Sequence, residues 1–245
     1  LQEYHPIFNA FKCVIFFGCY NIVDYLRVLF HRGKRTIFWC GGDILALKKS
    51  LWRYIIPRLK ARHICEHSVE ESVLRDLGIK AEIHPMIFDV PIVKNSYIAQ
   101  DKIHVYMCVH LGREKEYGID TVERLSTIKE LEGYIFHIYG IEKEDTWNIR
   151  YHGKVSPEKF AYDIEHYHCG LRLNEFEGLS EVTARSVLLA QYPISRMYFP
   201  NITYAPDFPS LVKELVGLKN KTKPNLIGQK YWTDKLEQSL NKVLK

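Results

Sequence analysis

No stretch of the 245-residue sequence approaches the roughly 18 consecutive apolar residues that a bilayer-spanning helix needs. The most apolar early run, Cys13 to Cys19, has the length of one strand. Nothing resembles a secretion signal with a cleavage site, so a cytoplasmic protein is expected, either soluble or peripheral to a membrane. Only one glycine follows the first apolar run, in Gly18-Cys19-Tyr20-Asn21, where a dinucleotide site needs G-x-G-x-x-G. That speaks against a nicotinamide- or flavin-dependent oxidoreductase. A P-loop string, a G-x-S-x-G turn, short repeats and low-complexity segments are all missing. With 47% hydrophobic and 26% charged residues, the composition is that of a globular protein with a full core, not a disordered chain.

The six cysteines form no C-x-x-C pair and mostly sit in apolar runs. Buried reduced thiols are expected rather than a disulfide framework. His63-Ile-Cys-Glu66-His67 spells the H-x-x-E-H zinc-protease string, but that mechanism needs both histidines on one helix face. Here the segment has strand character, which sets positions four apart about 13 Å from each other, too far to share one ion. His166 and His168 are likewise expected to serve roles other than metal binding. No metal and no cofactor are expected.

Acidic residues are scarce in one place. The net charge is +5, and between Arg27 and Arg62 ten basic residues face a single acid, Asp43. Such a segment either forms an ordinary solvated surface or attracts phosphates of a lipid surface, a nucleic acid or a charged acceptor.

Strands and helices alternate. Residues 11–18 predict a buried strand, 21–31 a helix with apolar residues at helical spacing (Ile22, Tyr25, Leu26 and Leu29), and Arg35–Asp43 a strand with a glycine turn. Residues 44–60 predict a helix ending or kinking at Pro57. It pairs an apolar stripe (Leu47, Leu51, Ile55, Leu59) with Lys48, Lys49, Arg53 and Lys60 and carries Trp52, so it is either a core-packed helix with a basic outer face or an acceptor-binding or membrane-facing patch. A strand over 62–67, a helix opened by the capping box Ser68-Val-Glu-Glu71, and a strand over 81–88 follow. Residues 89–101 look like a linker. A second alternating set then runs to an amphipathic tail over 230–245 (Leu236, Leu240, Val243, Leu244). The pattern implies an α/β protein with parallel sheets covered on both faces.

The most informative stretch is 152–195. A strand runs into Glu177-Gly178-Leu179-Ser180 and then a helix, including Glu181. A glycine turn feeding a helix N-terminus offers unpaired N–H groups to a phosphate, or is simply an ordinary capped turn. In order, Gly153-Lys-Val155, Tyr167 to Leu171, Glu177-Gly178 and Gln191-Tyr-Pro193-Ile194 follow a known pattern. So do Leu111-Gly112-Arg113 with Tyr117-Gly118-Ile119-Asp120, and Ser68 to Phe88. Together these motifs resemble the GT-B glycosyltransferases of family 4, or group 1, across most of residues 60–195.

That resemblance implies two Rossmann-like domains facing a cleft in a compact chain. The acceptor domain would span 1–95 and the nucleotide-sugar-binding domain 96–228, with a helix over 229–245 packing back on the first. It implies transfer of a hexose from a nucleotide-diphosphate sugar to a hydroxyl acceptor (a glycan, a lipid or another alcohol), with retention and without metal. Arg113 and Lys115, beside Gly112, would neutralise the pyrophosphate. Glu177 would hold donor-sugar hydroxyls, and the amides of Gly178, Leu179 and Ser180 would bind phosphate. Arg185 stands eight positions after Glu177, where the family has a second glutamate; Glu181 or Glu175 is placed to substitute. Asp43 would orient or deprotonate the acceptor hydroxyl, or else cap the next helix. The alternative is a non-catalytic protein of the same fold that binds a nucleotide, a polyanion or nucleic acid through the basic segment.

Overall fold

The computed structural model describes residues 11–87 and 93–243. Its residues gather into two compact units. One draws on Leu1–Met86, Phe176–Leu179 and Gln238–Lys245, the other on Ile87–Glu175 and Ser180–Glu237.

In the first unit, β1 (Val14–Phe17), β2 (Arg35–Phe38), β3 (Arg62–Cys65) and β4 (Ala81–Ile83) lie side by side in chain order, all parallel. Helices α1 (Ile22–Phe30), α2 (Gly42–Lys49) and α3 (Ser68–Asp76) connect them. α1 starts where Asn21 accepts the amides of Val23 and Asp24 while Asp24 reaches back to the amide of Asn21. This reciprocal cap satisfies donors that the first turn leaves open. The core joins Ile37, Trp39, Ile44, Leu47, Ile56 and Leu74.

Local structure departs from the sequence expectation at two points here. The helix expected over 44–60 stops at Lys49 and gives way to two 3-10 turns, Leu51–Tyr54 and Ile56–Arg58. Ser50 is extended and its hydroxyl bonds the Leu47 carbonyl, and Pro57 lacks the N–H that would continue a helix. The cap of α3 is His67, one residue before Ser68: its Nδ1 accepts from Val69 at 3.1 Å and Glu70 closes the box. On α1 the core-facing residues are Tyr25 and Val28, whereas Ile22 and Leu26 are exposed.

In the second unit the strands are β5 (Ile103–Cys108), β6 (Tyr134–Tyr139), β7 (Ile149–Tyr151), β8 (Cys169–Arg172), β9 (Ile194–Ser195) and β10 (Thr203–Tyr204). Their spatial order is β10-β9-β8-β5-β6-β7, all parallel. The helices are α4 (Ile119–Leu125), α5 (Pro157–Ile164), α6 (Glu181–Leu188), α7 (Phe208–Gly217) and α8 (Leu226–Val243), whose residues from Gln238 on group with the first unit. Alternation along β5 separates two cores. Ile103, Val105 and Met107 pack with Val122 and Leu125 of α4 and Leu211 and Leu215 of α7, while Tyr106 packs with Ile164 of α5 and Val182 of α6. The sheet is thus covered on both faces, as the alternation of elements implies.

A row of histidines also runs across β8, β5, β6 and β7: His104 and His137 lie within β5 and β6, His168 just before β8 and His152 just after β7. The rings of His168, His104, His137 and His152 stack in turn at 6.0, 5.1 and 5.2 Å. His104 Nδ1 meets His137 Nε2 at 2.9 Å, and His137 Nδ1 meets His152 Nε2 at 2.9 Å.

The linker expected over 89–101 lies partly outside the described residues, and 93–100 carry neither helix nor strand. Leu244 of the expected tail also lies outside them. Val243 packs with Phe38, Ile64 and Met86, and the Arg62 guanidinium donates to the carbonyls of Lys242 and Val243 at 3.0 and 3.5 Å.

Candidate functional site

The strand order of the second unit dictates where a ligand would sit. From β5 the chain builds β6 and β7 on one side, then crosses to build β8, β9 and β10 on the other. Between β5 and β8 the successive connections therefore diverge, and the carboxyl ends of the strands open a crevice. A pocket of about 210 Å³ lies there. Cys108, Val109 and His110 line it from the end of β5, Arg172 from the end of β8, and Ser180, Glu181 and Val182 from the start of α6. Phe160 of α5 and Tyr117 complete the wall.

Two features bring positive charge to the pocket. Ser180 caps α6, its hydroxyl accepting from the Thr183 amide at 3.1 Å. The first-turn amides of a helix have no partner inside it, and the aligned peptide dipoles add partial positive charge at that end. Arg172 brings a full charge, with its Nη1 3.4 Å from the Cys108 carbonyl and its guanidinium 4.5 Å from the Tyr117 ring centre. The Cys108 thiol is pushed up to about 12, mainly by burial, so it lines the wall as a neutral group. Glu181 is held by Arg185 at 2.7 Å, an arrangement that turns its charge along the helix surface.

Of the residues expected to bind a donor, Ser180 and Glu181 line this pocket. Gly112, Arg113 and Lys115 lie on the exposed loop after β5. Arg113 is paired with Glu116 at 2.8 Å through Nε, and the Gly112 amide donates to Glu114 at 3.0 Å. Sequence reasoning missed Arg172, Tyr117, His110 and Phe160 as lining residues. The available signal was the position of Arg172, the only cation in the strand Cys169–Arg172 and its last residue.

Glu177, Gly178 and Leu179 group with the first unit. A Cβ on Gly41, the residue before α2, would stand 3.0 Å from the Cα of Glu177 and 3.2 Å from Oε1 of Glu70. A Cβ on Gly178 would stand 1.9 Å from Oε2 of Glu66. Two glycine turns thus pack against two glutamates. Glu66 accepts from the Met86 amide at 3.3 Å, and Glu70 Oε2 accepts from the amides of Glu66 and His67 at 2.8 and 3.1 Å. Burial pushes the carboxyls of this cluster up, Glu70 to about 8, and Glu66 also rises, with Glu70, Glu177 and Asp43 adding like-charge repulsion. The Glu70 carboxyl therefore favours the protonated form near neutrality.

Asp43 is fully buried. Its oxygens accept from the amides of Cys40 at 3.0 Å, Ile44 at 2.9 Å and Cys19 at 3.2 Å. It ties the ends of β1 and β2 to the start of α2, which is the work of a clamp. Lys48 and Lys49 are exposed, and Arg53 donates to the Lys48 carbonyl at 3.2 Å. Trp52, expected in that outward patch, turns instead onto Tyr25 of α1, ring to ring at 5.0 Å. The H-x-x-E-H string is structural throughout: His63 accepts from the Trp39 indole at 3.2 Å and His67 caps α3.

Solved structures match nearly the whole chain. The S. aureus TarM variant in complex with Fondaparinux, alpha-GlcNAc-glycerol and UDP superposes with a TM-score of 0.66 at 11% identity, over 95% of this chain and 54% of that one. The pneumococcal O-GlcNAc transferase GtfA in complex with UDP and GlcNAc gives 0.63 at 13%, over 86% of this chain and 51% of that one. The lipopolysaccharide outer core galactosyltransferase WaaB gives 0.63 at 15%, over 95% and 74%. The fold is the GT-B fold. The chain spans about half the length of the TarM and GtfA structures. No protein-family profile matches it, and no curated protein sequence does. Within the GT-B frame, the pocket at the β5–β8 switch point belongs to the six-stranded unit.

Proposed function

We propose that the chain is a glycosyltransferase moving a hexose from a nucleotide-diphosphate sugar to a hydroxyl acceptor of a glycan or lipid, with retention and without a divalent metal. One observation carries this reading: Arg172 and the N-terminal turn of α6 converge on one pocket at the carboxyl ends of β5 and β8. Breaking the bond between the anomeric carbon and the phosphate oxygen leaves a nucleoside diphosphate. The negative charge that grows on that oxygen is stabilised by a fixed guanidinium and by amides already oriented toward it. Because Tyr117 holds Arg172 in place, little reorganisation is needed as charge develops.

In this reading Arg172 and the amides of Glu181 and Val182 receive the diphosphate. Arg113 and Lys115 add long-range attraction from the exposed loop, Arg113 at the expense of its pair with Glu116. Glu177 is the carboxylate proposed for the donor-sugar hydroxyls; the motif resemblance supports that role. Asp43 positions the Gly41–Gly42 turn rather than exchanging protons.

The test is turnover on a panel of UDP-, GDP- and ADP-sugars, with release of nucleoside diphosphate as the readout. Activity on one of them that falls at least 100-fold in Arg172→Ala is expected. No turnover on any of them, with nucleoside diphosphates failing to raise the melting temperature, overturns the reading.

A further inference from the structure

Amides in the first turn of α6 can receive a diphosphate only while that turn keeps its place beside Arg172. Apolar packing alone does not hold it there, because it is non-directional and lets a helix slide or rotate on a sheet. A hydrogen bond restrains both motions, since it depends on distance and angle. Two such bonds reach α6 from the strands behind the pocket. The Tyr106 hydroxyl of β5 donates to the Val182 carbonyl at 3.2 Å. The Gly170 amide of β8 donates to the Ser186 hydroxyl at 2.9 Å. Tyr106 and Ser186 are both fully buried.

The two bonds meet at one point. A Cβ on Gly170 would stand 2.8 Å from the Val182 carbonyl oxygen, 2.8 Å from Cβ of Ser186 and 3.1 Å from the Tyr106 hydroxyl oxygen. β8 thus carries no side chain where α6 comes down on it. The pocket adjoins this point. Val182 lines it, as does Cys108, two residues beyond Tyr106 on the same face of β5. Phe160, another lining residue, meets the Tyr106 ring edge to face at 6.0 Å.

We propose that Tyr106 is a positioning residue for the diphosphate: through the Val182 carbonyl it sets where the amides of Glu181 and Val182 stand between β5 and β8. A helix carbonyl keeps a lone pair beyond its ladder bond, so the tyrosine adds a strap without breaking the helix. The proposal rests on the reading that this pocket takes a nucleoside diphosphate. The molecule supplies its own control. Tyr134 of β6, equally buried, also donates to a helix carbonyl, that of Leu215 in α7, in the core on the other face of the sheet. The two hydroxyls do the same work for the fold, and only that of Tyr106 lies behind the amides.

The experiment compares Tyr106→Phe with Tyr134→Phe, each of which keeps its ring and loses one oxygen. Both should lower the melting temperature by about 2–4 °C, the share of one buried hydrogen bond in a chain of this size. In calorimetric titration with UDP, GDP and ADP, Tyr106→Phe should weaken the tightest of them about 3- to 10-fold, and Tyr134→Phe should leave it unchanged. On the matching sugar nucleotide, kcat per folded molecule should fall about tenfold in Tyr106→Phe with a smaller rise in KM, because the amides meet a charge that grows as the bond breaks. Three results overturn the proposal and leave the pocket reading standing: the original binds a nucleoside diphosphate and Tyr106→Phe binds it as tightly, Tyr134→Phe loses as much, or Tyr106→Phe alone fails to fold, which would assign the hydroxyl to the fold. If neither the original nor the variants bind any of the three nucleotides, the pocket reading falls and the positioning role falls with it.

Discussion

The guanidinium carbon of Arg172 lies 4.5 Å from the centre of the Tyr117 ring, and that of Arg113 lies 5.6 Å from the same ring. One buried tyrosine therefore organises two cations at the end of β5, one facing the pocket and one on the exposed loop. A cation over an aromatic face is held by the ring quadrupole and loses rotamer freedom before any ligand arrives. The two differ in place: Arg172 lines the pocket and reaches the Cys108 carbonyl at 3.4 Å, and Arg113, on the exposed loop, meets Glu116 at 2.8 Å.

Arg172→Ala should weaken binding of a nucleoside diphosphate by about 10- to 100-fold, the range for one lost hydrogen bond to a charged group. Arg172→Lys should recover part of it, since an ammonium keeps the charge but neither stacks on Tyr117 nor forks to two oxygens. Arg113→Ala should cost less than Arg172→Ala, because Arg172 lines the pocket and Arg113 lies on the exposed loop. Titration calorimetry ranks the three, and equal losses for Arg113 and Arg172 would contradict the pocket assignment.

Gly178 and Gly112 should tolerate alanine for different reasons and to different degrees. At Gly178 the new Cβ meets Oε2 of Glu66 at 1.9 Å and its Cβ at 2.7 Å, so rotating the carboxylate away does not clear the space. A loss of about 1–3 kcal/mol is expected, the range for overpacking. At Gly112 nothing lies within 4 Å and the cost is backbone strain alone at φ +82, about 1 kcal/mol. Denaturant unfolding separates them.

Much of this was legible in the sequence. Apolar runs ending in glycine marked β1, β2, β5 and β6, and Ser156-Pro157 marked the start of α5. These are local signals with local causes. Arg172 was not legible, because its importance comes from strand order: only when β8 lands beside β5 does the last residue of an ordinary strand face a crevice. The partner of Gly178 was hidden for the same reason, as Glu66 is more than a hundred residues away in the chain. The helix over 44–60 failed at Ser50, whose hydroxyl competes for a helix carbonyl.

Asp43→Asn should separate a clamp from a base. An amide has one acceptor oxygen where the carboxylate offers two, so one of the three amides it serves loses its partner and an NH2 is turned toward a donor. Stability should fall by about 1–3 kcal/mol. Turnover per folded molecule should change less than tenfold, with no shift in its pH profile. A loss of several orders of magnitude at unchanged melting temperature would restore Asp43 to catalysis.

The two units should respond to pH in opposite directions. In the first, Glu70 binds its proton up to about pH 8 when folded but only to about 4.5 otherwise, because burial disfavours its charge. The folded unit thus holds more protons across that window, and linkage makes its stability fall as pH rises from about 4.5 to about 8. Glu66 acts in the same direction, and Asp43, raised to about 6, does so at the lower end. His63, lowered to about 4 by burial, opposes them below about 6.5 and is silent above it. In the second unit the histidine row works the other way. Burial, then the neighbouring His104 and His152, lower His137 to about 3, and burial lowers His168 to about 4. Around His137 stand the Tyr167 hydroxyl at 3.1 Å, and beyond it Tyr139 and Asp163, the latter paired with Lys159. Arg150 adds further positive charge. The unfolded histidines take up protons near pH 6.5 while the folded row does not, so this unit keeps its full stability above about 6.5 and loses it as pH falls toward 4. Hydrogen exchange resolved by segment gives the check. From pH 6.5 to 8, after correction for intrinsic rates, protection in β2 and β3 should drop while that in β5 and β6 holds; from 6.5 to 5, β5 and β6 should loosen. His137→Gln, neutral at every pH, should flatten the second response and leave the first, and a row that keeps its acid sensitivity after that change would mean the stacked imidazoles are not its source.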